Sequence, residues 1–424
     1  MHIRINKLKK NYLMIPLLIG YVIVVYPLIY GIAPNNGVAG LLNKLILLSL
    51  IMLFAIINNF TRFIVLNNLS RMLLVSLLYM MVSLAIYSPY LFMGDIIKEV
   101  LYSFVPFLLY FIVDSFDIER QNLFLNVTIY SLLIVIGIGV LNLAGIVVPI
   151  PNMSLALSHI GRNFQSYYSA MEMGYSLQLL YGITLFRVSN NFFLNKFRII
   201  FLGIFSVLGL LTLQRGCYLG FLISTSIYLI YKFKGSIKVT AKSGIRIIAI
   251  AVVGAVALMI LVTQWETVIS IGSRITGYDI EKFIGDEFRS FNYKSVASQR
   301  TSQAVISNTS NPLWLIFGEG FGKYSPNNSL TVRKMPDASY YRIFDELGMV
   351  GFALFFVPYI FMFLRACGKK RAFSIYFILC TFAVFFFNRI LWMIPLNFFI
   401  YPILCMAVKE DSCLFHNVII NEGY

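Results

Sequence analysis

The chain has 424 residues, of which 59% are hydrophobic, 16% aromatic and only 12% charged, and its mean hydropathy is +0.80. A soluble domain carries roughly 25% charged residues, so an assembly of water-soluble domains is excluded and an all-α polytopic membrane protein is expected. The formal net charge of +16 raises nucleic acid as a partner, but the basic residues sit mostly in short connections between apolar runs, a pattern of membrane topology with no nucleic-acid partner.

The five cysteines, Cys217, Cys367, Cys380, Cys405 and Cys413, fall in or beside apolar runs without a disulfide framework or a zinc spacing, so no metal and no cofactor is expected. The basic start His2–Lys10 leads into a run too long for a cleavable signal, and the first helix is expected to be retained.

Taken in order, the apolar runs near 12–32, 41–59, 70–88, 100–116, 123–148, 174–188, 199–213, 217–232, 247–264, 343–364, 373–388 and 392–408 predict about 12 transmembrane helices, each long enough for the hydrocarbon layer. Lys and Arg alternate between connections. One side carries Arg4, Lys7, Lys9 and Lys10, Arg62 and Arg71, Arg120, Lys196 and Arg198, Lys232 to Arg246, Arg365 to Arg371, and Lys409. Arginine and lysine mark the cytoplasmic side, which places both termini in the cytoplasm. The alternate connections face outward: a smaller loop at 149–173 and a large extracytoplasmic loop at 265–342, within a single transmembrane domain spanning 1–424. No internal repeat is apparent.

The outward connections hold the candidate chemistry. Arg215 stands in the short turn LTLQRGCYLG between two apolar runs. A guanidinium there is costly to desolvate and usually faces a cavity or a partner; the alternative is that it snorkels to the interface. Arg162 in the smaller loop and Arg300 in a predicted short helix, 296–307, have the same sign on the same side. Singly each reads as a solvated loop charge; together with Arg215 they form a set of rigid bidentate donors suited to phosphate or pyrophosphate. The stretch 315–356 then runs from a glycine turn (Gly318, Gly320, Gly322) through polar residues into a fresh apolar run. The turn has no preceding strand and no GK[ST], so it reads as a tight structural loop whose amides could add to an anion site.

Around the start of the tenth predicted span lie Asp337, Arg342, Asp345 and Glu346. One of these carboxylates is a candidate to take a proton from a sugar hydroxyl, or they act only as partners of the helix dipole. Asp345 and Glu346 point about 100° apart on a helix, so at most one shares a face with Arg342. His159 is a further candidate base or a plain surface residue, and Tyr340 belongs to a tyrosine-rich outer region suited either to sugar binding or to an interfacial belt.

The order of LTLQRGCYLGF, ASQRTSQAV, NPLWLIFGEGFG and DASYYRIFDELGMVGFALFF resembles the O-antigen polymerase and ligase superfamily of bacterial membrane glycosyltransferases, most closely the Wzy-type polymerases. The resemblance implies a metal-independent, GT-C-like glycosyltransferase at the outer face of the bacterial cytoplasmic (inner) membrane. Its donor would be an undecaprenyl-pyrophosphate-linked oligosaccharide, transferred to the non-reducing end of another lipid-linked repeat to build O-antigen, capsule or a related polysaccharide. Carried onto this chain, it gives Arg215, Arg300 and Arg162 to the pyrophosphate, with Arg342, His159, the three glycines and Tyr340 lining the substrate site. Asp337 or Glu346 becomes the group that activates the acceptor, and a chain-length regulator the protein partner. Ligases commonly carry a histidine-asparagine pair where this chain has Asp337 and Ala338, which favours polymerase over ligase. The paired Arg-x10-Gly loops of some polymerases are not matched, because Arg162 is followed by Gly174 one position late. A lipid-sugar transporter or flippase is the rival from another class; such folds favour repeated halves with broken helices and midplane charges.

Overall fold

The computed structural model describes residues 13–32, 37–57, 68–143, 170–212, 215–234, 312–324, 339–387, 396–409 and 412–414, and among them every regular element is helical. We number the helices α1 (13–32), α2 (Gly37–Ile57), α3 (Asn68–Tyr87), α4 (Met93–Asp114), α5 (Ile118–Leu143), α6 (Ala170–Leu185), α7 (Arg198–Leu211), α8 (Arg215–Lys234), α9 (Pro312–Phe317), α10 (Ser339–Gly368), α11 (Ala372–Phe387) and α12 (Leu396–Val408). Five segments are long and apolar enough to cross a membrane: Val38–Ile57, Asn68–Tyr90, Met93–Asp114, Ile118–Leu141 and Arg342–Gly368. At 1.5 Å per residue each reaches about 30 Å or more. The predicted span 247–264 lies outside the described residues.

Burial is inverted relative to a soluble protein. Ile56, Ile86, Ile199, Leu222 and Leu364 stand on the outside, while Arg342, Lys323, Asp345 and Glu346 are inside. Apolar exteriors of this kind face lipid tails, and charges inside such a bundle must find partners. This is a multi-pass helical membrane protein.

At two prolines a side chain of a neighbouring helix replaces the helical hydrogen bond that the ring removes. Pro106 in α4 has no N–H for the carbonyl of Tyr102, and that carbonyl accepts instead from Asn397 Nδ2 of α12 at 2.7 Å. The same stretch carries a π turn at Val100–Phe104. Pro358 in α10 leaves the carbonyl of Leu354, which accepts from Ser76 Oγ of α3 at 2.5 Å. Both breaks therefore fasten one helix to another.

The two ends of the bundle differ in charge. At one end Lys409 Nζ donates to the carbonyls of Asp114 and Phe116, at 2.6 and 2.9 Å, and Arg371 Nη1 donates to the carbonyl of Lys409 at 2.9 Å. Arg198 Nη2 caps α6 through the carbonyl of Leu185 at 2.6 Å. Basic side chains on the last carbonyls of a helix satisfy orphan acceptors and oppose the dipole. We call this the basic end; the opposite one is the far end.

Candidate functional site

The glycine turn and α10 form one unit at the far end. Although α10 runs as a single element from Ser339 to Gly368, Gly348 has φ 65° and ψ −169°, which breaks it into two helical pieces. That backbone conformation is essentially glycine-only. A Cβ at Gly348 would strike the amide of Gly318 and the carbonyl of Ile316, and a Cβ at Gly318 (φ 83°) would strike the backbone of Glu346 and Leu347. The two glycines permit α9 and its turn to seat directly in the break.

Hydrogen bonds fix that seating. The amides of Glu319 and Gly320 donate to the carbonyls of Asp345 and Glu346, both at 3.0 Å. These carbonyls lie in the last turn of the first helical piece, where the break removes their intrahelical donors. From α3, the Tyr79 hydroxyl donates to the carbonyls of Phe317 and Leu347, each at 3.1 Å, and Ser83 Oγ accepts from the amide of Phe321 at 3.0 Å.

A buried charge network lies against this turn. Arg342, 1% exposed, places Nη2 at 2.8 Å from Glu99 Oε1 of α4 and Nε at 3.0 Å from Glu346 Oε2 one turn further along α10. The other carboxylate oxygen of Glu346 accepts from the amides of Gly322 and Tyr324, at 3.3 and 3.4 Å. Lys323 Nζ stands 2.9 Å from Asp345 Oδ2 and is also paired with Glu319, while the Tyr324 hydroxyl donates to Asp345. Burial, followed by the hydrogen bond and charge of Asp345, pushes the Tyr324 phenol well above its ordinary range, so it remains a donor. Glu319 reaches the surface of the bundle, at 16% side-chain exposure, whereas the Asp345 and Glu346 side chains do not.

The predicted site residues separate accordingly. Arg342 and Glu346 are brought together and engaged internally, and the three glycines form the turn that packs on them. Tyr340 stacks on Phe356 with ring centroids 5.0 Å apart and donates to the carbonyl of Phe382 at 2.7 Å. Asp337, His159, Arg162 and Arg300 lie outside the described residues, as does the predicted helix 296–307. Arg215 opens α8.

The position of that opening follows from its neighbours. At the basic end, Phe186, just past the end of α6, packs on Phe373 of α11 and Tyr228 of α8, with centroids 5.9 Å apart in each case. One to two turns on, Tyr376 donates to the carbonyl of Gln178 at 2.8 Å, and Gly220 abuts Gln178. Beyond that, a Cβ at Gly216 would stand 2.6 Å from the Tyr175 hydroxyl, and Phe382 meets Tyr340. The starts of α6, α8 and α10 and the second half of α11 therefore converge at the far end. A narrow cavity of about 30 Å³, lined by Tyr175, Gln178, Tyr376, Cys380, Thr381 and Phe399 among others, lies between α6, α11 and α12. It has room for about one water and none for a sugar.

Sequence reasoning missed Glu99 and Lys323. The predicted fourth helix starts at 100, but α4 starts at Met93, which turns an expected outer loop into a helix carrying Asp95, Lys98 and Glu99. Glu99 is separated by 243 residues from the arginine it meets, and no local pattern encodes that pairing. For Lys323 the signal was its i, i+4 spacing from Glu319.

Neither a scan against protein-family models nor a search of curated proteins returned a match for this chain.

Proposed function

We propose that this protein is a polymerase of lipid-linked oligosaccharide repeat units, working at the extracytoplasmic face of the bacterial inner membrane with both termini in the cytoplasm. The supporting observation is the convergence at the far end. The helix opened by Arg215, the helix that follows 144–169, and the helix that follows 325–338 all begin there, opposite the basic end. That arrangement suits Arg215 and, from 144–169, Arg162 to act on one anionic group beside Asp337 of 325–338, and the proposal adds Arg300 to them. Guanidinium groups held at a departing pyrophosphate stabilise its charge in the transition state and remove the need for a separate general acid. A carboxylate, with Asp337 as the first candidate, accepts the proton of the acceptor hydroxyl.

In this reading Arg342 and Glu346 are positioning residues. The charge of Arg342 is met by Glu99 and Glu346, and both oxygens of Glu346 are engaged, so the pair holds the glycine turn against α10 behind the reacting groups. The donor, the acceptor and the bilayer are the partners, with a chain-length regulator as the protein partner.

A second reading, a transporter or flippase of lipid-linked sugars, draws on one specific observation: α10 is broken at Gly348 beside buried charges, a device found in transporters. Ligase activity is the nearer alternative. One experiment distinguishes all three. The purified chain is reconstituted with undecaprenyl-pyrophosphate-linked repeat units and no nucleotide, and the products are sized. A ladder of repeats supports a polymerase, transfer of single repeats to a different acceptor a ligase, and movement across the bilayer without new bonds a flippase.

A further inference from the structure

We propose that Pro312–Phe317 is a re-entrant membrane segment. It dips among the acyl chains of the leaflet at the far end, turns at Gly318 and returns to the same side.

Three observations carry this. First, Leu313, Trp314, Leu315, Ile316 and Phe317 are all exposed, from 39% at Ile316 to 60% at Leu313. Successive helical residues are about 100° apart, so five in a row sample every direction around the axis. A helix apolar all round is stable only where its surroundings are apolar too. Six residues rise about 9 Å, far short of the roughly 30 Å needed to cross.

Second, the turn is built to exist away from water. Every backbone amide from Gly318 to Tyr324 has an acceptor within the protein: the carbonyls of Trp314, Asp345, Glu346 and Gly320, Ser83 Oγ and the Glu346 carboxylate. Non-helical backbone is tolerated at membrane depth only when it is satisfied in this way. A loop lying in water has no need of such complete pairing.

Third, contacts along α3 trace the return leg. The carbonyl of Phe317 meets Tyr79, then the amide of Phe321 meets Ser83, and Gly320 and Gly322 lie against Tyr87 and Leu91. Tyr79 stands 11 residues before the end of its span at Tyr90, about 16 Å of helix rise. The lowest point of the excursion is therefore opposite the middle of a spanning helix and in the break of another at Gly348.

Trp314 supplies the probe. In a chain carrying Trp265→Phe and Trp392→Phe, reconstituted in phosphatidylcholine vesicles, Trp314 is expected to lose most of its emission when the acyl chains are brominated. Iodide added outside should change it little. Strong iodide quenching with no bromolipid quenching would overturn the proposal in favour of a water-exposed loop; quenching by neither would show that protein covers the segment. Should that variant fold poorly, the difference between wild type and Trp314→Phe gives the same comparison.

Discussion

The Glu99–Arg342–Glu346 network makes a prediction with a sign. Unit charges 4 Å apart attract by about 4 kcal/mol at an effective dielectric of about 20. Breaking a buried pair by deleting one partner costs about 3–5 kcal/mol, much of it from the charge left behind. Arg342 contacts Glu99 at 2.8 Å and Glu346 at 3.0 Å, so Glu99→Gln leaves it one carboxylate, and we expect a loss of about 2–3 kcal/mol. Arg342→Met is worse, because it leaves Glu99 and Glu346 facing each other without a cation. In that background Glu99→Gln removes an uncompensated charge and raises stability. The assay is reversible unfolding in mixed micelles across the four chains of a double-mutant cycle. Equal losses from Glu99→Gln in both backgrounds would refute the network as the feature that ties α4 to α10.

Two other predictions concern the backbone. Gly348→Ala forces a Cβ into the glycine-only conformation, costing about 1–3 kcal/mol, and drives it against the backbone of Gly318 and Ile316. Little monodisperse protein should survive extraction, as read by size-exclusion chromatography, and a normal yield would mean that the break is dispensable. Asn397→Leu should cost about 1–3 kcal/mol by orphaning the carbonyl of Tyr102 beside Pro106, seen as a lower unfolding midpoint, whereas Asn397→Gln should recover part of the loss if its longer amide still reaches that carbonyl.

Apolar runs carried the membrane class and the long helices, because lipid imposes length and composition directly on each segment. The break at Gly348 was hidden for the opposite reason. Gly348 sits in an apolar helical pattern much as Gly137 and Gly203 do, yet nothing approaches those two within 4 Å, and the difference lies in a segment 30 residues away. The same holds for Glu99. Its pairing with Arg342 depends on how α4 and α10 pack, and its own surroundings, Met93–Glu99, read as a polar connection. Nor was the split between Asp345 and Glu346 legible in helical geometry, since i+3 and i+4 both stand about one turn from Arg342; what sets them apart is that Lys323 and Tyr324 engage Asp345. The placement of Arg215 at the far end needed three helices in register, through Gly182 against Tyr376, Gly220 against Gln178 and Gly216 against Tyr175, and could not be read from its own turn.

The central claim is that arginines gathered at the far end hold a pyrophosphate while sugar is transferred. It is tested most directly by Arg215→Ala and Arg300→Ala, each reconstituted with undecaprenyl-pyrophosphate-linked repeat units, with insertion confirmed by the amount of folded protein in the vesicles. Both variants are predicted to insert normally and to form no polymer. A normal ladder of long chains from both would contradict the account.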